Sequence, residues 1–307
     1  MESKAKNLVI ILGPTAVGKS ITAVKLAKIF NGEIINCDSM QVYQGFDIGT
    51  DKPSINKMEN IPHHLLGIAS PSTQFTAAVF VRLSLKAMDS IWKKKKLPII
   101  TGGTGLYLKA LLDGLFPEGE KNQFIRQTLE REAEEKGLTT LWNKLRDIDP
   151  GYAEKIGAND KIRIIRALEV YYSTNKPLSK HFLETKSFVK DFHTIKIGLK
   201  LERKKLYELI DKRVEQMFAK GLVKEVQDLL EKGVSTDSPP FRALGYKYIL
   251  QFLNKGLTLE ESILLTKKDT RHYAKRQLTW FKKMKGIKWF FPEDFQKIVK
   301  YIQNNLK

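Results

Sequence analysis

An octapeptide near the start of the chain has the residue types and spacing of a phosphate-binding loop. Residues 13–20 read GPTAVGKS and lie between an apolar run at 8–12 and a predicted helix at 21–30. Glycine lets consecutive backbone N–H groups of such a loop point inward, and the positive end of the next helix adds to them. Lys19 contributes a cationic charge, and the Ser20 hydroxyl suits Mg²⁺ held on phosphate oxygens. The predicted diphosphate-binding residues are Gly13, Pro14, Thr15, Ala16, Val17, Gly18, Lys19 and Ser20.

Asp38 is the carboxylate that strand order places nearest to this loop. It follows a predicted strand at 33–36, and the carboxyl ends of neighbouring parallel strands meet at one edge of a sheet. The predicted strand at 97–101 is followed by Gly-Gly-Thr, without the magnesium-holding acid of a nucleotide hydrolase. Asp38 is therefore the candidate for proton transfer. Capping of the next turn explains an aspartate in this position equally well.

The elements that must position these residues alternate between strands and helices. The predicted strands are 8–12, 33–36, 97–101 and 194–201. Apolar strands separated by helices predict an α/β fold, with a P-loop NTPase-like parallel sheet flanked by helices on both faces. Residues 118–189 are mostly helical in pattern and highly charged, which predicts an inserted helical subdomain. The expected catalytic core is then 1–117 with 190–307, carrying basic helices near its C-terminal end.

The charge of the chain points to a polyanionic partner. The 307 residues carry a formal net charge of +19, with 42% hydrophobic residues to build a core. Residues 242–288 hold twelve Lys plus Arg against three acidic residues, which is about half of that excess. Aromatic residues lie among these cations, where they could stack on nucleobases or simply pack in the core. They are Tyr246, Tyr248, Tyr273, Trp280 and Phe281.

Several classes of protein and site are disfavoured by composition. Cys37 is the single cysteine, so an internal disulfide or a multi-cysteine metal cluster is excluded, and a reducing cytoplasm is expected. Its thiol is read as a small buried group, not a nucleophile. His63 and His64 are adjacent and point different ways, so a structural or RNA-facing role is favoured over metal binding. The sequence contains no run of eighteen apolar residues, so no membrane span is predicted.

Further motifs follow the phosphate loop in a fixed order along almost the whole chain. They are DSMQVY at 38–43, DIGTDKP at 47–53, PHHL at 62–65, GGTGLY at 102–107, NDKIRIIRALE at 159–169, RALGYK at 242–247 and TRHYAKRQLTW at 270–280. With these motifs the sequence strongly resembles the tRNA dimethylallyltransferase family, also called tRNA isopentenyltransferases. With one cysteine the chain lacks the zinc finger that eukaryotic members often add, so the resemblance is to the bacterial type.

The resemblance implies a reaction and a set of site residues. A dimethylallyl group would pass from dimethylallyl diphosphate to N6 of adenosine 37 in the tRNA anticodon stem-loop, with Mg²⁺ as cofactor. Asp38 would be the general base, Thr104 would lie in the reaction channel, and Arg213 would bind diphosphate. The implied tRNA contacts are Asp38, Ser39, Met40, Gln41, Thr104, Arg126, Arg163, Arg166, Arg242, Gly245, Lys247, Arg271, Lys275 and Arg276. A cytoplasmic monomer is expected, and occupation of the loop by ATP is left open.

Two positions depart from the family pattern. Ile162 stands before Arg163 where bacterial members commonly have glutamine, so one polar RNA contact is missing. Lys247 stands where the family has an arginine, which keeps the charge but loses the planar fork of a bidentate contact. Neither position belongs to the implied chemistry.

Three other functions remain open from the residues alone. An adenylate isopentenyltransferase would use the same loop and base on a free nucleotide, but such an acceptor does not require the basic segment at 242–288. A kinase or ATPase that binds RNA is disfavoured by the missing acid after 97–101. An RNA-binding module with a vestigial loop is disfavoured by the intact Lys19, Ser20 and Asp38.

Overall fold

The computed structural model describes residues 6–115 and 122–307. Within these residues, parallel strands form one six-stranded sheet in the order β3-β2-β4-β1-β5-β6. The strands are β1 (Asn7–Leu12), β2 (Gly32–Cys37), β3 (His63–His64), β4 (Leu97–Gly102), β5 (His193–Leu199) and β6 (Ile287–Phe290). The predicted parallel sheet flanked by helices is confirmed.

Helices connect the strands and follow the last of them. They are α1 (Lys19–Ile29), α2 (Ile55–Met58), α3 (Ala77–Lys93), α4 (Gly105–Asp113), α5 (Gln123–Lys136), α6 (Leu138–Ile148), α7 (Pro150–Ala153), α8 (Lys161–Thr174), α9 (Leu178–Glu184), α10 (Arg203–Ala219), α11 (Leu222–Glu231), α12 (Tyr246–Leu253), α13 (Leu259–Lys282) and α14 (Phe295–Asn305). Short 3₁₀ turns span Pro239–Arg242 and Pro292–Asp294. In the described part of the chain, none of these helices is both long and apolar enough to cross a bilayer.

The central strands are buried on both faces, which explains their continuous apolar runs. Residues 8–12 of β1 are fully buried, and every residue of β2 and β4 is buried. A strand covered by helices on both faces cannot alternate apolar with polar residues. In this register Ile10 lies opposite Ile100 of β4 on one side and Lys196 of β5 on the other.

Two edge strands were absent from the sequence prediction. β3 is two residues long and β6 is four, and they close the two edges of the sheet. Such short strands offer no periodic signal, and β6 lies in the basic stretch that reads as helical. The strand predicted at 194–201 ends at Leu199, two residues early.

The chain divides into two compact units, Met1–Lys109 with Asp191–Lys307, and Ala110–Lys190. We call them the core unit and the helical unit. The core unit contains the sheet, and a second apolar cluster of this unit centres on Phe46, Phe241 and Tyr246. The helical unit has its own core, with Leu141, Leu145 and other buried aliphatic side chains. The boundary predicted between residues 117 and 118 lies outside the described residues.

Candidate active site

The phosphate loop connects the buried end of β1 to the first turn of α1. Gly13 has φ +152°, and a Cβ there would lie 2.6 Å from the Leu199 carbonyl oxygen. Gly18 has φ +92° and Ala16 has φ +63°, so the loop passes twice through the left-handed region. These backbone turns are what lets a short loop direct successive N–H groups toward one anion.

Lys19 carries its charge at the centre of this loop. Its Nζ donates to the Pro14 carbonyl oxygen at 2.7 Å, which folds the side chain back over the loop. Burial, together with the nearby Arg213 guanidinium, lowers the pKa of Lys19 to about 8. A bound diphosphate would offset both effects, because its negative charge favours the protonated amine. The loop is thus electrostatically set to receive an anion.

Arg213, which the resemblance implied as a diphosphate ligand, reaches the loop from α10. Its Nη1 donates to the Thr15 hydroxyl at 2.9 Å and lies 3.4 Å from Asp51 Oδ2. The two bonds hold the guanidinium beside the loop although Thr15 and Arg213 are 198 positions apart. The structure therefore brings Arg213 together with the predicted diphosphate-binding residues.

Gln277 of α13 connects the phosphate loop to the end of β4, and the sequence interpretation did not assign it a role. Its Oε1 accepts from the Thr15 N–H at 2.8 Å, and its Nε2 donates to the Gly103 carbonyl oxygen at 2.9 Å. The residue is only 5% exposed. A Cβ on Gly103 would lie 2.2 Å from Nε2, so a larger residue there would displace the Gln277 amide. Gln277 lies inside the TRHYAKRQLTW motif, but nothing in the sequence indicates its two long-range bonds.

Asp38 and Thr104 lie side by side after β2 and β4. Asp38 Oδ1 accepts from the N–H groups of Met40 at 2.9 Å and Gln41 at 3.3 Å. Across the described residues no donor bonds its second oxygen. The Thr104 hydroxyl accepts from the Ser39 N–H at 2.9 Å and donates to the Ser39 hydroxyl at 3.3 Å. One oxygen of Asp38 therefore caps a turn while the other is available for a proton.

A cavity of about 290 Å³ lies beside the loop and Asp38, and Thr104, which the resemblance implied for the reaction channel, is not among the described residues that line it. Its polar side includes Thr15, Asp38 and Arg213, which bring the loop and the carboxylate into one space. The lining also includes an apolar wall formed by Val214, Met217 and Leu244. Tyr273 also lines it, and burial together with the Asp38 charge raises the pKa of that phenol. The cavity can hold an apolar group next to an anionic one.

The implied tRNA contacts in the core unit fall into three groups. Ser39, Met40 and Arg242 line the cavity itself, and Gly245, with φ +92°, is the N-cap residue that precedes α12. Lys247 Nζ bonds Asp269 at 2.7 Å, and Arg271 Nη1 bonds the two oxygens of Asp211 at 2.8 and 3.0 Å. Lys275 and Arg276 are exposed on α13.

The other implied contacts, Arg126, Arg163 and Arg166, belong to the helical unit. Each is paired within its own helix or cap: Arg126 with Glu130 at 3.0 Å, Arg163 with Asp160 at 2.7 Å and Arg166 with Glu169 at 3.0 Å. Asp160 also accepts from the Arg163 N–H and caps α8. Ile162, the departure from the family pattern, is 74% exposed in the first turn of that helix.

The histidine pair and the cysteine have structural partners. His63 Nδ1 bonds the Ile61 carbonyl oxygen, and His64 Nε2 bonds Glu33, each at 2.8 Å. Cys37 is fully buried, and burial together with Asp38 raises the pKa of its thiol. In residues 6–115 and 122–307 no three His, Cys, Asp or Glu residues are grouped as a metal site.

Comparisons with known proteins agree with one another. The tRNA dimethylallyltransferase of Acetivibrio thermocellus is 46% identical over 299 residues, which is 97% of this chain and 96% of that protein. The solved structure of a tRNA isopentenylpyrophosphate transferase from Bacillus halodurans is similar with 39% identity and a TM-score of 0.72, covering 98% of this chain and 97% of the other. A eukaryotic dimethylallyltransferase acting on tRNA is similar with 31% identity and a TM-score of 0.83, covering 99% and 80%. Residues 41–284 match the IPP transferase family. The chain belongs to the IPP transferase family.

Proposed function

We propose that the protein transfers the dimethylallyl group of dimethylallyl diphosphate to N6 of adenosine 37 in the anticodon stem-loop of tRNA. The products are N6-(dimethylallyl)adenosine and inorganic diphosphate. The observation that supports this most directly is the cavity in which Asp38 shares one space with Thr15, Arg213 and an apolar wall. An acyl or phosphoryl acceptor site would not need that wall beside its leaving-group cradle.

The donor would bind with its diphosphate on the loop and its five-carbon tail along the apolar wall. Lys19, Arg213 and the backbone N–H groups of residues 15–20 would neutralise the charge that builds on the diphosphate as the carbon–oxygen bond breaks. Val214 and Met217 line the same cavity with hydrocarbon, which suits an allylic carbon chain. The larger part of the rate enhancement is assigned to this stabilisation of the leaving group.

Asp38 would take the proton from N6. The lone pair of an adenine amino group is delocalised into the ring, so the nitrogen becomes acidic only as the new carbon–nitrogen bond forms. The unbonded carboxylate oxygen of Asp38 can then accept the proton, a contribution of ~10²–10⁴-fold. Thr104 fixes the adjoining backbone through Ser39, which keeps the carboxylate in place.

A magnesium ion fits the donor set without a cage of acidic ligands. Mg²⁺ is usually bound by one or two protein oxygens, substrate phosphates and water. Ser20 supplies such an oxygen in the first turn of α1, and its hydroxyl has no hydrogen-bond partner in the described residues. When bound, the ion would supply positive charge to the departing diphosphate.

The acceptor would be an unpaired base of tRNA. Adenine must leave its stack to bring N6 into the cavity, which costs a few kcal/mol and favours a loop nucleotide. The exposed Lys275 and Arg276 of α13, with Arg242 at the cavity, would bind phosphates around the anticodon loop. Arg126, Arg163 and Arg166 of the helical unit, which we regard as the inserted tRNA-binding part, would add further contacts.

We also propose that a single chain is sufficient and that it acts in the cytoplasm, where unmodified tRNA is found. The loop, the base and the apolar wall all come from one core unit. A free adenine nucleotide is the competing acceptor, because it offers the same N6. The basic excess of residues 242–288 favours tRNA over this small acceptor.

The test is transfer of radiolabelled dimethylallyl diphosphate to unmodified tRNA. Parallel reactions contain free AMP, and a tRNA in which position 37 is not adenine. Label on the adenosine-37 tRNA alone is the expected result. Label on AMP would replace the proposal by a free-nucleotide enzyme, and label on neither acceptor, with tRNA binding intact, would support an RNA-binding module instead.

A further inference from the structure

Glu225, in the first turn of α11, bonds an unusual number of donors from a distant turn. Its Oε2 accepts from the N–H groups of Asp47 at 3.0 Å and Ile48 at 2.7 Å. Its Oε1 accepts from the Gly49 N–H at 3.3 Å and from the Tyr246 hydroxyl at 2.6 Å. Successive N–H groups that converge in this way form an anion-binding nest. The anion in this nest is a side chain of the protein itself.

The turn at residues 47–51 is held from a second direction by Tyr246. The ring is fully buried, and its oxygen also accepts from the Gly49 N–H at 3.2 Å. A Cβ on Gly49 would lie 2.5 Å from the ring, so the turn rests directly against it. Phe46 precedes the turn and packs on the same ring at 5.0 Å between centroids. The turn is therefore held both by the Glu225 side chain and by the Tyr246 ring.

The turn at residues 47–51 contacts both the cavity and the Arg213 guanidinium. Gly49 and Thr50 line the cavity, and Asp51 lies 3.4 Å from the Arg213 guanidinium. The carbonyl oxygens of Thr50 and Asp51 accept from Gln41 Nε2 at 3.0 and 3.2 Å. A shift of the turn would thus move the guanidinium that bonds Thr15 of the phosphate loop.

We propose that Glu225 is a positioning residue for donor binding, which acts through the 47–51 turn and Arg213 on the diphosphate. This inference rests on the proposed function, since it assigns the donor's diphosphate to the loop. Glu225 itself does not line the cavity, so it acts only through the groups it holds.

The first measurement is a kinetic split in Glu225→Gln. Glutamine has the same shape, but its amide nitrogen would face N–H or O–H donors whichever way it turns. We expect the KM for dimethylallyl diphosphate to rise about tenfold while kcat at saturating donor stays within about twofold. Tyr246→Phe removes one bond and keeps the ring, so a smaller rise in KM is expected. Glu231→Gln, at an exposed glutamate that ends the same helix, is the matched control and should change neither value.

If Glu225 only stabilised the fold, Glu225→Gln would change kcat and not KM. A smaller folded fraction lowers kcat and leaves KM unchanged, and this result in Glu225→Gln would overturn the proposal. Hydrogen exchange of the 47–49 amides checks the mechanism independently of catalysis. Exchange should be faster in Glu225→Gln than in wild type and Glu231→Gln, and unchanged exchange would also contradict the proposal.

A double-mutant cycle read by calorimetry tests the route through Arg213. Inorganic diphosphate with MgCl₂ is the probe. Arg213→Ala should weaken its binding about 100-fold, Glu225→Gln about tenfold, and the double variant little more than Arg213→Ala alone. Additive losses would show that Glu225 does not act through Arg213. This assay contains no acceptor, so failure of prenyl transfer to tRNA would not alter the binding result for Glu225. Absence of diphosphate binding by the wild-type protein would refute the positioning role.

Discussion

Two carboxylates at opposite ends of β2, Glu33 near its start and Asp38 just after its last residue, have opposite environments. Glu33 is 1% exposed and bonds His64, Lys94 and Lys96 at 2.8 to 3.2 Å. Burial by itself would raise the pKa of Glu33, but the hydrogen bonds from His64, Lys96 and Lys94 lower it to about 2. Asp38 has one oxygen bonded to backbone and, within residues 6–115 and 122–307, no donor on the other.

Glu33 is therefore a structural carboxylate, whereas Asp38 is a carboxylate that could take part in a reaction. A fully hydrogen-bonded, ionised group cannot accept a proton at neutral pH, so Glu33 can only stabilise the fold. Asp38 instead lines the cavity with one oxygen that accepts no hydrogen bond from the described residues, so this oxygen can face a reacting group. The same contrast holds for cations, since Lys94 and Lys96 bond Glu33, while Lys19 bonds a carbonyl oxygen and no carboxylate among the described residues.

The largest effect on activity is expected when Asp38, the proposed base, is removed. Asp38→Ala should lower kcat for transfer to tRNA by ~10²–10⁴-fold, because the proton on N6 has no acceptor. tRNA binding, measured by filter retention, should be nearly unchanged. Turnover above a tenth of the wild-type value would exclude Asp38 as the base.

Removal of the structural carboxylate should produce the reverse pattern. Glu33→Gln should lower the free energy of unfolding by ~2–3 kcal/mol, since it breaks a buried ionic network, and should leave kcat within about twofold. Urea denaturation followed by circular dichroism measures the change. Asp89→Asn, at an exposed carboxylate of α3, is the control and should leave the midpoint unchanged. A large loss of kcat in Glu33→Gln would show that the role of Glu33 is not only structural.

The contribution of Glu33 has a defined pH window. Its pKa is lowered from 4.5 in the unfolded chain to about 2 in the folded protein. The folded state therefore gains stability from this group fully above pH 4.5, and loses it as the pH falls towards 2. The stability difference between wild type and Glu33→Gln should shrink over that same interval.

Lys19 predicts a smaller effect at the other end of the pH scale. Its pKa of about 8 means that the free enzyme loses this charge above pH 8. Because diphosphate binds the protonated amine, kcat/KM for the donor should be flat below pH 8 and fall about tenfold per pH unit above it. Calorimetry in buffers of different ionisation enthalpy should show proton uptake on binding at pH 9. A flat profile up to pH 9.5 would refute the assignment.

The parts of this site that depend on residues close together in the sequence could be predicted from it. The parts that depend on contacts between distant residues mostly could not. The loop at 13–20 needs only its own glycines and the flanking strand and helix, so the octapeptide was sufficient. Asp38 could be placed because strand order determines which loops meet. Arg213 entered only through the family resemblance, since its partner Thr15 is 198 positions away. Gln277 and Glu225 act through long-range bonds to backbone N–H groups, which leave no pattern in the sequence.

The smallest effect is expected for single cations on the proposed tRNA surface, and it sharpens the contrast between paired and unpaired groups. The Lys275 side chain is exposed on α13, and its ammonium has no hydrogen bond or ion pair to the rest of the described chain, whereas Arg271 one turn earlier is bonded to Asp211. Lys275→Ala should weaken tRNA binding only a few-fold and lower the slope of log affinity against log salt by about 0.7–0.9, the loss of one phosphate contact. Lys300→Ala, at an exposed lysine of α14, should leave that slope unchanged. Equal slopes for wild type and Lys275→Ala would remove Lys275 from the tRNA interface, because a cation that touches a phosphate must release a counterion when it binds.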